Sequence, residues 1–346
     1  MPVSERHRFD EAVLADWLAD QVEGFAGPLT VAQFRGGQSN PTFLLTDAAG
    51  RRLVMRAKPG PAAQLLPSAH AIEREFRVLA ALGAAGFPVG RVHALCADES
   101  IIGRAFYIMD FVDGRVMWEP ALPGLSRAER AAIYDEMNRV LAWLHSLDSK
   151  ELGLESFGRP GNYFARQIDR WSRQYRASET ERIEAMEWLI EWLPRNIPAG
   201  DEAALVHGDY KLDNLIWHPS EPRVLAVLDW ELSTLGHPLA DLSYHCMIWH
   251  LPARLTRGLA GLPLADLGIP DEPAYVEAYC RRTGRKDIGN WAFYIAYNLF
   301  RSASIVQGIK KRALDGTAAS EHALAEGALA RPMAELGAEI AASTMR

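Results

Sequence analysis

The chain is poor in cysteine and has no long uninterrupted apolar run. Its 346 residues include only three cysteines, Cys96, Cys246 and Cys280, which form neither a C-x-x-C pair nor an even framework. This pattern excludes a disulfide scaffold and is typical of reduced thiols, so we expect a cytoplasmic protein. Charged residues, Gly or Pro interrupt every apolar run, so no membrane span is predicted. The first residues lack a basic start followed by an apolar core, so no signal peptide is expected.

A surplus of basic residues is also missing. The formal net charge of −7 provides no basic footprint of the kind that nucleic acid requires, so no nucleic-acid partner is expected. Hydrophobic residues make up 49% and charged residues 23% of the chain, which is ordinary for a globular enzyme. The composition does not indicate an oligomeric state.

The signatures of several large enzyme classes are absent. There is no G-x-x-x-x-G-K-[ST] and no Rossmann fingerprint, which excludes a P-loop enzyme and a dinucleotide-binding domain of that type. There is no G-x-S-x-G nucleophile elbow. Five histidines cluster in one stretch without the H-E-x-x-H spacing of zinc hydrolases, so we interpret them as core or capping residues. They are His207, His218, His237, His245 and His250.

The hydrophobic pattern changes along the chain from strand-rich to helix-rich. Up to residue 111, short β-rich runs surround one helix predicted within residues 69–82. Beyond that point helices dominate, beginning with a capping box in which Ser126 precedes Glu129 by three residues. We therefore predict an α+β protein with a small lobe over residues 1–111 and a larger, mainly helical lobe over residues 112–346. Strands are predicted at residues 31–34, 42–46, 52–58, 106–112, 215–217 and 224–228.

The strongest chemical signal is the octapeptide HGDYKLDN at residues 207–214. It precedes a predicted strand and therefore lies on a loop, and Asp229 directly follows the next apolar strand. Phosphoryl transfer to a hydroxyl requires a carboxylate that accepts the proton, together with oxygen ligands for Mg²⁺. These two segments can supply both. The alternative is a simple turn network, because His, Asp and Asn are common in loops.

The octapeptide, followed by LDWELSTLGHPLADL, resembles the aminoglycoside phosphotransferase family. It is most similar to the subgroup that is fused to acyl-CoA dehydrogenases in other proteins, and the resemblance covers roughly residues 25–310. It implies a bilobal, protein-kinase-like fold with ATP and Mg²⁺ as cofactors. It also implies that Asp209 is the catalytic base, Asn214 a magnesium ligand and Asp229 the principal magnesium ligand. Lys211 matches the position from which protein kinases contact the transferred phosphate.

The resemblance extends into the small lobe. Lys58 ends the third predicted strand, where kinases place the lysine that holds the α- and β-phosphates. Glu73 and Glu75 on the following helix are both possible partners for it, and Glu75 is favoured because it matches the family pattern R-E-[FY]-R-V-L. Without the downstream loops, such a lysine and glutamate would be interpreted as a solvated surface pair.

The segment of residues 36–40 lies between the first two predicted strands, where kinases fold a Gly-rich loop over the nucleotide. Its backbone amides could form an anion-binding concavity. The alternative is an ordinary hairpin turn, for which Gly-Gly is common. The candidate nucleotide contacts in it are Gly36, Gly37, Ser39 and Asn40.

Four further positions take their interpretation from the resemblance. Asp110 and Val112 match the hinge whose backbone groups bind adenine. Glu231 is either an additional oxygen near the metal or a surface carboxylate. Asp241 resembles the family's buried aspartate that braces the catalytic loop, so we predict a structural role for it.

The resemblance implies a small-molecule kinase that transfers the ATP γ-phosphate to a hydroxyl. A hydroxyacyl-CoA is the favoured acceptor because the most similar subgroup is fused to acyl-CoA dehydrogenases. A basic cluster that includes Arg301 after an aromatic helix adds weak support. The alternatives are an aminoglycoside or choline-like alcohol kinase and, from another class, a non-catalytic nucleotide-binding module. The choice between ATP and GTP is left open.

Overall fold

The computed structural model describes residues 1–34, 40–59, 71–317 and 322–343. The chain divides into two compact units, and the first of them contains residues 1–116, 150–154 and 213–233. The second contains residues 117–149, 155–212 and 234–346. The first unit thus includes a segment that lies far along the chain and carries Asn214 and Asp229. The functional labels given to residues 1–111 and 112–346 remain predictions.

The strands of the described residues are short and are listed here in chain order. They are β1 (Thr30–Gln33), β2 (Thr42–Thr46), β3 (Arg52–Ala57), β4 (Val92–Cys96), β5 (Phe106–Asp110), β6 (Arg115–Val116), β7 (Ala204–Val206), β8 (Leu215–Trp217), β9 (Val224–Val227) and β10 (Thr234–Gly236).

The helices of the described residues are concentrated after residue 126. They are α1 (Glu11–Gln21), α2 (Ile72–Ala84), α3 (Arg127–Ser146), α4 (Tyr163–Ser178), α5 (Glu184–Arg195), α6 (Pro238–Cys246), α7 (Ala253–Thr256), α8 (Leu264–Leu267), α9 (Glu272–Thr283), α10 (Trp291–Leu314), α11 (Ala323–Gly327) and α12 (Ala330–Ser343).

The first unit is built on an antiparallel sheet with the strand order β1-β2-β3-β5-β4. Alternate residues of β2 and β3, such as Phe43 and Met55, enter one hydrophobic core together with Leu14 and Leu18 of α1. This alternation follows from the period of two in a strand. Helix α2 packs against β4 and β5.

A second, smaller sheet of the first unit has the order β6-β8-β9. Strands β8 and β9 pair antiparallel, with Leu215 opposite Val227. The N–H of Leu228 donates to the carbonyl oxygen of Asn214 at 2.8 Å. The start of β8 therefore lies beside the end of β9, so the residues that precede one strand and follow the other are neighbours.

The second unit is mainly helical. Its longest helix, α10, packs against α12, α4 and α6. Most of the aromatic side chains of α10 are buried, as the helical spacing predicts for core positions. The predicted capping box of α3 is confirmed, because Ser126 Oγ accepts from the N–H of Glu129 while the Glu129 side chain accepts from the N–H of Ser126.

The two-stranded sheet of the second unit positions the predicted catalytic loop. Strand β7 pairs antiparallel with β10, with Val206 opposite Thr234. The chain leaves β7 directly into residues 207–212, and α6 begins two residues after β10. The predicted combination of an antiparallel-sheet unit and a mainly helical unit is confirmed. Among the described residues, no helix has both the length and the apolar character needed to cross a bilayer.

Candidate active site

An ion-pair network in the first unit is centred on Arg56 of β3. Its Nε lies 2.8 Å from Glu75 Oε2, within ion-pair distance. Its Nη2 donates to Asp229 Oδ1 at 2.8 Å and to Glu231 Oε2 at 3.3 Å. One guanidinium therefore joins the helix carboxylate of α2 to the two carboxylates that follow β9. Arginine can hold several carboxylates in this way because its donors form a rigid planar fork, whereas lysine is a point charge.

Glu75 is the most buried member of this network, with a side chain only 3% exposed. It also accepts from Asn40 Nδ2 at 2.9 Å and from the Tyr107 hydroxyl at 3.1 Å. Burial raises the pKa of Glu75 to about 7, although the charge of Arg56 opposes that rise. We call the following residues the Arg56 cluster: Asn40, Arg56, Glu75, Tyr107, Asp229 and Glu231.

Of the two possible partners of Lys58, the structure pairs it with Glu73 and not with Glu75, which the family pattern favoured. Lys58 Nζ pairs with Glu73, and the two side chains are 28% and 41% exposed. The buried stripe of α2 contains Ile72, Glu75 and Leu82, so Glu75 faces the protein interior. Glu73 lies two residues earlier and faces away, because two residues turn a helix by about 200°. Lys58 follows the end of β3 and meets that outer position instead.

Asp229 has an unusual backbone conformation, with φ 64° and ψ 65°. This left-handed region is uncommon outside glycine, although aspartate tolerates it better than most residues. The next residue, Trp230, anchors it: its indole Nε1 donates to the Val227 carbonyl at 2.9 Å and its ring packs on Phe87. A backbone held in a sparsely populated conformation supports a functional role for Asp229.

Asn214 and Asp229 offer amide and carboxylate oxygens, the ligands that Mg²⁺ prefers. The Asp229 side chain is 36% exposed and therefore accessible to a ligand. In the described ranges, no three or more His, Cys, Asp or Glu side chains are grouped so as to hold a metal ion. Mg²⁺ usually has only one or two protein carboxylates and takes its other ligands from water and phosphate. The donor set therefore fits magnesium bound together with a nucleotide.

The other predicted nucleotide contacts fall partly outside the described residues. Gly36, Gly37 and Ser39 lie outside them, whereas Asn40 is buried against Glu75. The N–H of Asp110 donates to the Arg91 carbonyl at 2.8 Å. The Asp110 amide is therefore already used within the protein, and the contact of Asp110 and Val112 with adenine remains a prediction.

In the second unit, the Asp209 carboxylate is held by two side chains. Its Oδ1 accepts from the Tyr244 hydroxyl at 2.5 Å. Its Oδ2 lies 3.2 Å from Lys211 Nζ. The N–H of Asp209 donates to His207 Nδ1 at 3.1 Å, which stabilises the turn of the loop. The structure thus brings together Asp209 and Lys211, both predicted from the octapeptide.

The predicted structural role of Asp241 is confirmed. Its two carboxylate oxygens accept from the N–H of His207 at 2.6 Å and of Gly208 at 2.8 Å. His145 Nε2 lies 3.3 Å from the same carboxylate. Burial alone would raise the pKa of Asp241, but the hydrogen bonds and charges of His145 and His207 hold it below its ordinary value. The first turn of α6 therefore fixes the backbone of the loop.

The histidines of α6 are core and capping residues, as predicted. His237 Nδ1 accepts from the N–H of Leu239 at 3.2 Å and caps the helix. His245 is buried among aromatic rings. Burial lowers the pKa of each to about 4, so both imidazoles are neutral at physiological pH.

Sequence reasoning did not assign Arg56 or Tyr244 to the site, and it named Arg301 only as part of a basic cluster. Arg301 Nη2 donates to the Gly208 carbonyl at 2.8 Å, and its guanidinium lies over the rings of Tyr244 and Trp171. Arg301 and Tyr244 lie far from the octapeptide in the chain. For Arg56 a signal did exist, because it lies near the end of β3, two residues before Lys58.

A sequence model of the phosphotransferase enzyme family known as APH matches residues 30–297. The chain is 50% identical over 317 residues to acyl-CoA dehydrogenase family member 10 of Mus musculus, covering 91% of this chain and 29% of that protein. It is 43% identical over 350 residues to acyl-CoA dehydrogenase family member 11 of Rattus norvegicus, covering 99% of this chain and 44% of that protein.

A solved structure from Ralstonia eutropha, named provisionally as an aminoglycoside phosphotransferase, superimposes with a TM-score of 0.90. The sequence identity is 58%, and the match covers 97% of this chain and 99% of that one. The fold is that of a kinase-like phosphotransferase, as predicted. The chain belongs to the APH phosphotransferase enzyme family. It spans less than half the length of the two acyl-CoA dehydrogenase family members.

Proposed function

We propose that this chain transfers the γ-phosphate of ATP to a hydroxyl group of a small molecule, with a hydroxyacyl-CoA as the acceptor. The observation that carries the proposal is the Asp209 carboxylate, which is oriented by Tyr244 and lies beside Lys211. A carboxylate held in this way next to a cation suits a general base in phosphoryl transfer.

In the proposed reaction, the acceptor oxygen attacks the γ-phosphorus and the bond to the β-phosphate oxygen breaks. The hydroxyl proton passes to the Asp209 carboxylate, and ADP leaves. Lys211 offsets the negative charge of the transferring group. Arg56 is the cation that we assign to the ATP phosphates, because it already binds both Glu75 and Asp229. Asn214 and Asp229 would hold Mg²⁺, which neutralises phosphate charge when bound.

Arg301 supports an acceptor other than an aminoglycoside. Its guanidinium is close enough to Asp209 for an electrostatic interaction and is fixed to the Gly208 carbonyl. A polycationic aminoglycoside bound at Asp209 would meet this positive charge, whereas an acyl thioester carries a carbonyl oxygen that can accept from it. The names of the two mammalian relatives point to the same acyl-CoA chemistry.

A substrate screen tests the acceptor class. We expect ATP- and Mg²⁺-dependent ADP release to be stimulated by hydroxyacyl-CoAs, and a product heavier by one phosphoryl group in mass spectrometry. Aminoglycosides, choline-like alcohols and sugars serve as comparison acceptors. Phosphorylation of an aminoglycoside with no response to any hydroxyacyl-CoA would remove the acyl proposal and leave the kinase chemistry in place.

Nucleotide binding separates Arg56 from Lys58. Arg56→Lys keeps the charge but loses the planar fork, so we expect the Kd for MgATP to rise about tenfold, the equivalent of about 1.4 kcal/mol. Lys58→Ala removes a half-exposed ion pair and should change the free energy of unfolding by less than about 1 kcal/mol. Its effect on the Kd for MgATP should be smaller than that of Arg56→Lys. Calorimetry measures both. A larger loss of ATP affinity in Lys58→Ala than in Arg56→Lys would return the phosphate role to Lys58.

A further inference from the structure

Helix α6 contacts the predicted catalytic loop with two side chains that share one face. Asp241 and Tyr244 are three residues apart, which places them on neighbouring turns. Asp241 accepts from the backbone N–H of His207 and Gly208. Tyr244 donates its hydroxyl to the carboxylate of the next residue, Asp209. One helix face therefore fixes three consecutive loop residues, two through the backbone and the third through its side chain.

The ring of Tyr244 is itself held in place. The Arg301 guanidinium lies 5.0 Å from the centre of the Tyr244 ring and 5.7 Å from the centre of the Trp171 ring. The same guanidinium donates to the Gly208 carbonyl at 2.8 Å. A cation is attracted to the face of an aromatic ring. Arg301 therefore holds the Tyr244 ring through this attraction and the loop through its hydrogen bond to Gly208.

We infer that Tyr244 is a positioning residue for the phosphoryl transfer. By donating to Oδ1, its hydroxyl sets the rotation of the Asp209 carboxylate. Oδ2, which lies beside Lys211, is then the oxygen that takes the proton of the acceptor hydroxyl. A carboxylate oxygen has two lone pairs, so the contact with Lys211 is compatible with that role. The inference rests on the proposed function of Asp209 as the base.

The test is Tyr244→Phe, which removes the hydroxyl and keeps the ring that Arg301 contacts. We expect kcat to fall about 10- to 100-fold, because a hydrogen bond to a charged group is lost from the reacting arrangement. The KM values for ATP and for the acceptor should change little. The assay uses the hydroxyacyl-CoA found in the screen and, in parallel, ATP hydrolysis without an acceptor. A wild-type kcat in a folded Tyr244→Phe enzyme would overturn the inference.

A matched control is Tyr134→Phe. The buried Tyr134 hydroxyl donates to the Pro120 carbonyl at 2.7 Å, remote in sequence from the loop of Asp209. We expect this variant to lower Tm by a few degrees without changing kcat. Equal losses of kcat in Tyr134→Phe and Tyr244→Phe at equal loss of Tm would mean that Tyr244 acts only through stability.

A double variant separates this inference from the function on which it rests. If Tyr244 acts through Asp209, adding Tyr244→Phe to Asp209→Asn should slow the enzyme no further. If the losses of kcat in the two single variants multiply in the double variant, Tyr244 acts independently of Asp209 and the inference is overturned. An Asp209→Asn enzyme with full activity would instead refute the proposed base. Should Tyr244→Phe fail to fold, Tyr244→His and Tyr244→Leu replace it, and turnover should be higher in the variant that keeps a ring donor.

Discussion

Replacing Asp209 by asparagine is expected to lower kcat about 10²- to 10⁴-fold, the usual range for loss of a positioned general base. The substitution keeps the shape of the side chain and an oxygen that can accept from Tyr244, so the loop should stay folded. It removes the carboxylate that takes the proton. ATP binding is expected to persist, because the phosphate contacts are assigned to Arg56. Steady-state kinetics with the acceptor from the screen, together with calorimetry of ATP binding, measure the two effects.

Asp169→Asn is the control for Asp209→Asn. Asp169 is an exposed carboxylate in the same unit, paired with Arg173 four residues later on α4. Such a surface pair contributes at most about 1 kcal/mol to stability, so kcat and Tm should be nearly unchanged. Unchanged activity in Asp209→Asn with any accepted substrate would remove Asp209 from the mechanism.

Local signals account for the parts of the fold that the sequence predicted well. Strand β2 and strand β8 have the predicted bounds, because each is a short β-rich run bordered by turn residues. The capping box at Ser126 identified the start of α3 from two residues alone. The predicted helix within residues 69–82 is α2, which begins at Ile72 in the described residues. In each case the determining interactions lie within a few positions along the chain.

Elements that depend on a distant partner could not be predicted in this way. Strands β7 and β10 have three residues each and exist because they pair with one another across almost thirty positions of the chain. Strand β4, at the sheet edge, has intermediate burial at most positions and so lacks the alternation that marks a strand. Strand β6 has only two residues, which carry too little pattern to identify from sequence.

The residues of the candidate site likewise fall into those with a local sequence signal and those that depend on distant contacts. The octapeptide revealed Asp209, Lys211 and Asn214 because their spacing is itself the signal. The partner of Glu75 depends on how α2 packs against β3 in three dimensions. A lysine at the end of a strand does not determine that packing. Tyr244 meets Asp209 from 35 positions away, and Arg301 meets Gly208 from 93 positions away. Such contacts arise only when β7, α6 and α10 are packed together.

Removing the Asp229 carboxylate is expected to abolish the tightening of ATP binding by magnesium. In the wild type, Mg²⁺ should lower the Kd for ATP about tenfold or more, because the ion links the phosphates to protein oxygens. In Asp229→Ala the ratio of the Kd values measured in EDTA and in Mg²⁺ should approach one. The fold should survive, because Arg56 keeps Glu75 and Glu231 as partners and no buried charge is left unpaired.

The control for Asp229→Ala is Asp113→Ala in the same unit, which removes an exposed carboxylate paired with a surface arginine, Arg52. We expect this control to keep the full response to Mg²⁺, because the charge of an exposed carboxylate is screened by solvent. Isothermal titration of ATP with and without the metal, at matched ionic strength, measures both variants. Tight nucleotide binding that ignores magnesium in the wild type and is unaltered in Asp229→Ala would contradict the metal assignment. Combined with an absence of turnover, it would favour a nucleotide-binding module over an enzyme.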